Sequence, residues 1–110
     1  MEAKVLSVRY HIPEVIISTN DYKAFRKYLE SGFSAGIRKN GYCTLRKRSQ
    51  ILVTLQYEGS EYTVNLKSKI ISYYGKENTF KLTEKFKEDL ENNKVTIKKD
   101  SNGYFSIFEK

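Results

Sequence analysis

The chain has 110 residues, of which 39% are hydrophobic, and this length suits one buried core better than two. We therefore expect a single compact domain over residues 1–110. No apolar run approaches the ~20 residues that cross a bilayer, and Met1 to Val5 lacks the basic and apolar pattern of a secretory signal. One cysteine, Cys43, excludes an internal disulfide, which suits a reducing compartment. From these features together we expect a cytoplasmic location and no membrane partner.

The first elements are a strand, a short apolar run and a helix. Residues 4–12 alternate with a period of two, which predicts a strand that places Leu6, Val8, Tyr10 and Ile12 on one face. Pro13 ends it, because proline has no N–H to donate to a neighbouring strand. After the apolar residues 15–17, capping residues and the spacing of Tyr22, Phe25 and Leu29 predict a helix over about residues 21–31.

Two hairpins are predicted in the middle of the chain. Asn40-Gly41 favours a tight turn between residues 35–39 and 42–46. A second turn at Gly59-Ser60 would join residues 51–57 to residues 62–66. It would place Val53 opposite Leu66, Leu55 opposite Val64 and Tyr57 opposite Tyr62, all on one face.

The last part of the chain predicts a strand, a helix and a third hairpin. Residues 69–74 have the composition of a strand, and Leu82, Phe86 and Leu90 predict a helix over residues 79–91 that ends at Asn92-Asn93. Residues 95–99 and 104–108 form the hairpin, with a three-residue loop and a left-handed Gly103 that bring Ile97 opposite Ile107. The expected fold is α+β, a mainly antiparallel sheet or a small partly open barrel with two helices.

The positive charge is concentrated in the first half of the chain. Residues 1–50 hold ten Lys and Arg against four Asp and Glu, whereas residues 51–110 hold ten against nine. No acidic residue lies between Glu30 and Glu58. This asymmetry suggests an anionic partner, although an AT-rich genome would also raise the lysine content. The candidate nucleic-acid site is the cluster of Arg38, Lys39, Tyr42, Arg46, Lys47 and Arg48.

Catalytic and metal-binding patterns are scarce. His11 is the only histidine, and a structural role suits it and Cys43 better than catalysis. One histidine and one cysteine cannot complete a tetrahedral zinc site, and no Gly-rich phosphate loop is present. We therefore expect no catalytic residues, no metal and no cofactor.

Two binding functions remain, with an enzyme as a third reading. The first is a non-enzymatic module in which the basic cluster neutralises phosphates and Tyr42 stacks on a base. Alanine at Arg46, Lys47 and Arg48 together should then weaken the salt dependence of binding. The second is a protein-interaction or accessory module, such as an assembly factor, an inhibitor or a homodimer. It would dock through an exposed strand edge, where Tyr104 and Phe108 exceed what one face can bury.

Overall fold

The computed structural model describes all residues from Met1 to Lys110 and confirms an α+β fold built on antiparallel sheets. Both sheets are open, and there are three helices instead of the two predicted. In chain order the elements are β1 (Glu2–His11), β2 (Glu14–Ser18), α1 (Tyr22–Glu30), β3 (Ser34–Lys39), β4 (Tyr42–Arg46), β5 (Gln50–Tyr57), β6 (Ser60–Asn65), α2 (Lys67–Tyr74), α3 (Thr79–Glu91), β7 (Val95–Lys99) and β8 (Phe105–Glu109). No helix combines the length and apolarity that a membrane span needs.

The chain forms two compact units. The large unit comprises Met1–His11 and Gln50–Lys110, and the small unit comprises Ile12–Ser49. That residues 1–110 behave as one domain stays a prediction.

The large unit is a five-stranded sheet, in the order β6-β5-β1-β7-β8, with α2 and α3 packed against it. Its core lies between the sheet and the helices. The fully buried apolar side chains there are Ile51, Val53, Leu55, Ile70, Leu82, Phe86 and Ile97. Burial of this apolar set is the main source of stability for the unit.

Strand β1 contains a bulge that the alternation of its sequence does not show. Val5 lies opposite Leu55, but the next paired residue is Ser7, opposite Thr54, so Leu6 is the extra residue. A bulge reverses the inward and outward alternation, and Leu6 is accordingly exposed. Val8 and Tyr10 share a face as predicted, because they lie opposite Val53 and Ile51, but Leu6 is in the bulge and Ile12 lies beyond the end of the strand.

The β5-β6 hairpin forms, but its predicted register is wrong by two residues. Val53 lies opposite Val64 and Leu55 opposite Tyr62. The turn is Glu58-Gly59, and both residues have positive φ, as a tight hairpin turn requires. A shift of two residues leaves every side chain on its predicted face, so the hydrophobic pattern could not distinguish the two registers.

Residues 69–74, predicted as a strand, are part of helix α2 instead. Ile70 is fully buried in the core, and Ile71 and Tyr74 pack against it. Leu66, Ile70 and Tyr74 recur every four residues, so one helical face supplies three core contacts. Tertiary packing overrides the strand propensity of the Ile and Tyr residues here.

The remaining predictions for the large unit are confirmed. Helix α3 spans Thr79–Glu91, and the Asn78 side chain caps it by accepting from the backbone N–H groups of Phe80 and Lys81. In the last hairpin Ile97 lies opposite Ile107, and Gly103 has a φ of +83°.

The small unit is a three-stranded antiparallel sheet, in the order β2-β4-β3, with α1 against one face. Asp21 begins α1 by accepting a hydrogen bond from the Ala24 N–H at 3.0 Å. The predicted helix and the predicted hairpin at Asn40-Gly41 are both confirmed.

Candidate nucleic-acid interface

The small unit carries most of the positive charge of the chain. Residues 12–49 contain eight Lys and Arg against three Asp and Glu, a net charge of +5 out of the total of +7. All six residues of the predicted basic cluster belong to this unit, and all six are exposed. The charge density of these 38 residues is therefore well above that of the large unit.

The strand register divides the predicted cluster between the two faces of the sheet. Arg38 lies opposite Cys43, whereas its neighbour Lys39 lies opposite Tyr42. Directly paired residues share a face, and consecutive residues alternate. Because Cys43 is buried beneath α1, Arg38 is on the helix side of the sheet, and Lys39 is on the open side.

The open side holds three of the predicted residues, namely Lys39, Tyr42 and Arg46. Tyr42 and Arg46 alternate with the buried Cys43 and Leu45 along β4. The guanidinium Nε of Arg46 is 2.6 Å from a carboxylate oxygen of Glu14, its partner in β2. This ion pair leaves Lys39 as the uncompensated cation of the trio.

The helix side holds Arg38 and Lys47. The Lys47 ammonium lies 5.3 Å from the centre of the Phe33 ring, and Phe33 in turn contacts Tyr28 of α1 edge to face. Lys47 therefore lies near the C-terminal end of α1. Arg48 follows β4 in an exposed loop.

Two grooves along α1 bring further cations to the helix side. One groove of about 270 Å³ is lined by Arg38 and Cys43 together with Thr19, Asn20, Tyr22 and Phe25. The other, of about 220 Å³, is lined by Tyr22, Lys23, Arg26, Lys27 and Glu30. Tyr22 lines both grooves, so Arg38 and the cations of the helix each share a groove with this ring. We call Tyr22, Lys23, Arg26, Lys27, Arg38 and Lys47 the helix-side surface.

The carboxylates of the small unit leave the helix-side surface largely uncompensated. Glu14 pairs with Arg46 on the open side, and Asp21 accepts from the N-terminal turn of α1. Glu30 lines the second groove but lies in no ion pair. Within the small unit, none of the five helix-side cations is within ion-pairing distance of a carboxylate.

Four residues of this surface were outside the predicted site, namely Tyr22, Lys23, Arg26 and Lys27. The signal that identifies them is their spacing in α1, since Tyr22 with Arg26 and Lys23 with Lys27 are each four residues apart and share a helix side. The separation of Tyr22 and Arg38 in the chain hides the groove that these two residues share.

The candidate catalytic and metal-binding residues form no reactive cluster. Cys43 is buried in the small unit, which confirms its structural placement. The structure brings no three His, Cys, Asp or Glu side chains together in a way that could hold a metal ion, and the absence of a metal requirement stays a prediction.

The edge of the sheet at β8 is an alternative binding surface in the large unit. β8 is an edge strand of its sheet, and Tyr104 and Phe108 are 65% and 36% exposed, respectively. These are the two aromatic residues that mark a docking edge in the protein-interaction reading.

The chain was compared with protein-family models, with curated proteins and with solved structures, and none of them matches it.

Proposed function

We propose that the small unit is a non-enzymatic binding module for an anionic polymer, nucleic acid, which it holds on the helix-side surface. The observation that carries the proposal is that Tyr22 lines both the groove of Arg38 and the groove of Lys23, Arg26 and Lys27. Cations neutralise phosphates and rings accept bases, so this combination matches the chemistry of nucleic acid.

Electrostatics favours a polymer over a single small anion. Arg38 lines the groove near the start of α1, and Lys47 lies beside Gly32 and Phe33, just beyond its end. A helix of nine residues is about 14 Å long, so the five cations extend over several phosphate positions. Release of counterions from several phosphates supplies most of the affinity of such a complex.

The proposal reduces the predicted site to its helix-side members. Arg38 and Lys47 stay in it, while Lys39, Tyr42, Arg46 and Arg48 lie outside the proposed site, and removal of Lys39, Tyr42 or Arg46 serves as the comparison. The Glu14 carboxylate beside Arg46 repels phosphate, so the open side is the less favourable surface for nucleic acid.

The first experiment is a titration of fluorescein-labelled oligothymidine, fifteen nucleotides long, with the full chain at several salt concentrations. If about five phosphates are engaged, log affinity falls with log salt with a slope of about −3.5 for a single strand and about −4.5 for a duplex. Absence of binding at low salt would reject the proposal. Nucleic acid that co-purifies with the protein and is removed by a high-salt wash, read from the 260 to 280 nm absorbance ratio, would support it.

A second candidate function is a protein-interaction module that docks through β8. It is favoured by the joint exposure of Tyr104 and Phe108 at a sheet edge, where unpaired backbone groups can accept another strand. Sedimentation equilibrium of the wild type and of a Tyr104→Ser/Phe108→Ser variant tests it. A dimer in the wild type that dissociates in the variant supports docking through β8, and a wild type that stays monomeric rejects the homodimer.

A further inference from the structure

Tyr22 has no structural role that accounts for its position. It is the first residue of α1, and its side chain is 73% exposed. Its hydroxyl makes no hydrogen bond, no aromatic ring contacts it, and no Lys or Arg lies over its face. Tyr28 and Phe33 of the same unit do have such contacts, since Tyr28 packs on Phe33 and Phe33 lies beneath Lys47. The Tyr22 ring is therefore largely exposed and available to a ligand.

The surroundings of the Tyr22 ring suit a nucleic acid whose bases are not already stacked on one another. A flat ring offers stacking only to a base whose own faces are free, and duplex bases are stacked on one another. The two grooves that Tyr22 lines hold cations that can take the phosphates before and after such a base. A rigid duplex would reach the cations at the surface but would leave the ring unused.

We propose that the helix-side surface is selective for single-stranded nucleic acid, with a base stacked on Tyr22. The phosphate on one side of that base lies in the groove of Arg38, and the phosphate on the other side lies in the groove of Lys23, Arg26 and Lys27. This inference rests on the proposed function, because it specifies the polymer bound at the same surface. Selectivity arises from the ring, and general affinity arises from the cations.

Three labelled polymers of equal length separate the two contributions: the fifteen-nucleotide oligothymidine, an abasic oligomer with the same phosphates, and a duplex. We expect the full chain to bind oligothymidine roughly 5- to 150-fold more tightly than the abasic oligomer, the range given by stacking of one base. Tyr22→Ala should remove this preference and leave the affinity for the abasic oligomer unchanged. Tyr22→Phe keeps the ring and should keep the preference.

Tyr42→Ala is the matched control, because it removes an exposed tyrosine of the same unit from the open side of the sheet. It should retain the preference for oligothymidine. Circular dichroism and thermal unfolding of each variant establish that it is folded, as expected for substitutions of exposed side chains.

The inference is overturned if oligothymidine and the abasic oligomer bind equally well, if the duplex binds more tightly than either, or if Tyr22→Ala retains the preference. In each of these cases the proposed function stands, since the cations still bind the polymer. Failure of all three polymers to bind at low salt would instead reject the proposed function itself.

Discussion

Arg38 and Lys39 are consecutive in the sequence, yet they lie on opposite sides of the three-stranded sheet, Arg38 opposite Cys43 and Lys39 opposite Tyr42. Gly36 and Ile37 form a bulge just before them, which fixes this phase. The division means that two substitutions one residue apart test different surfaces. It therefore supplies controls of identical charge for the two binding experiments below.

The acidic residues of the small unit provide a test by charge removal. Glu30→Gln removes the carboxylate that lines the groove of Lys23, Arg26 and Lys27, so we expect oligothymidine to bind about 2- to 5-fold more tightly at low salt. Glu14→Gln has the same effect on net charge but acts on the open side, beside Arg46. Its affinity should stay close to that of the wild type. A larger gain with Glu14→Gln would place the polymer on the open side.

The bulge itself is tested by Gly36→Ala. A Cβ at this position would lie 2.9 Å from the Thr44 carbonyl oxygen, so backbone must shift. We expect the free energy of unfolding to fall by about 1–3 kcal/mol, as for other overpacked sites. Ser34→Ala, at an exposed position of the same strand, should change it by less than about 0.5 kcal/mol. Urea unfolding measures both, and wild-type stability of Gly36→Ala would contradict this close approach.

Local signals predicted the elements that their own residues determine. Helix α3 has an Asn cap, apolar residues four apart and an Asn-Asn stop, and it forms as predicted. The tight turns at Asn40-Gly41 and near Gly103 are set by residues that tolerate positive φ. Prediction therefore succeeded where each local preference agreed with the fold.

The features that the sequence did not predict depend on packing between distant segments of the chain. Helix α2 forms because one helical side of Leu66, Ile70 and Tyr74 fills the core, which short-range propensity cannot show. The same limit applies to the site. The sequence indicated a basic cluster at residues 38–48, but the bulge at Gly36-Ile37 and the strand register that separate its members depend on pairing with another strand.

The contact between Tyr74 and Asp89 predicts alkaline sensitivity. The Tyr74 hydroxyl donates to the Asp89 carboxylate at 2.8 Å. Burial, the larger cause, and this hydrogen bond, the second cause, raise the pKa of Tyr74 well above its ordinary value of 10.0. Because the folded pKa is the higher one, this contribution to stability is complete below about pH 10 and is lost as the pH rises further. Tyr74→Phe should lower the free energy of unfolding by about 1 kcal/mol at neutral pH. It should also make the free energy of unfolding fall less steeply above about pH 10 than in the wild type.

Tyr73→Phe is the control for this prediction, because Tyr73 contacts the Tyr74 ring and its hydroxyl makes no hydrogen bond. Urea unfolding at neutral and alkaline pH, with absorbance titration of the tyrosines at about 295 nm, measures the difference. Equal pH dependence of the wild type and Tyr74→Phe would show that the bond to Asp89 contributes nothing.

The hydrogen bonds of the Asp100 carboxylate in the last hairpin should make the stability of the protein sensitive to acid. Its carboxylate accepts from the Ser106 hydroxyl at 2.7 Å, from the backbone N–H groups of Tyr104 and Asn102, and from Lys69, and these bonds lower its pKa from 3.8 to about 2. The folded pKa is the lower one, so the contribution is complete above pH 3.8 and is lost as the pH falls toward about 2. Asp100→Asn should lower the midpoint of thermal unfolding at neutral pH and flatten its dependence on pH in that range.

Glu84→Gln serves as the comparison for Asp100→Asn, since it removes only an exposed carboxylate paired with Lys87 one helical turn away. Its thermal midpoint should match that of the wild type. An acid transition unchanged by Asp100→Asn would mean that other carboxylates determine it.

The helix-side account is tested most directly by two double variants that each remove two positive charges from the small unit, Arg26→Ala/Arg38→Ala and Lys39→Ala/Arg46→Ala. With oligothymidine in about 0.1 M salt, the first should bind roughly 25-fold more weakly and lose about 1.4 from the magnitude of its salt slope, since each phosphate contact contributes about 0.7. The second should stay within about threefold of the wild type. Equal losses in both variants, or a larger loss in the second, would contradict binding on the helix side.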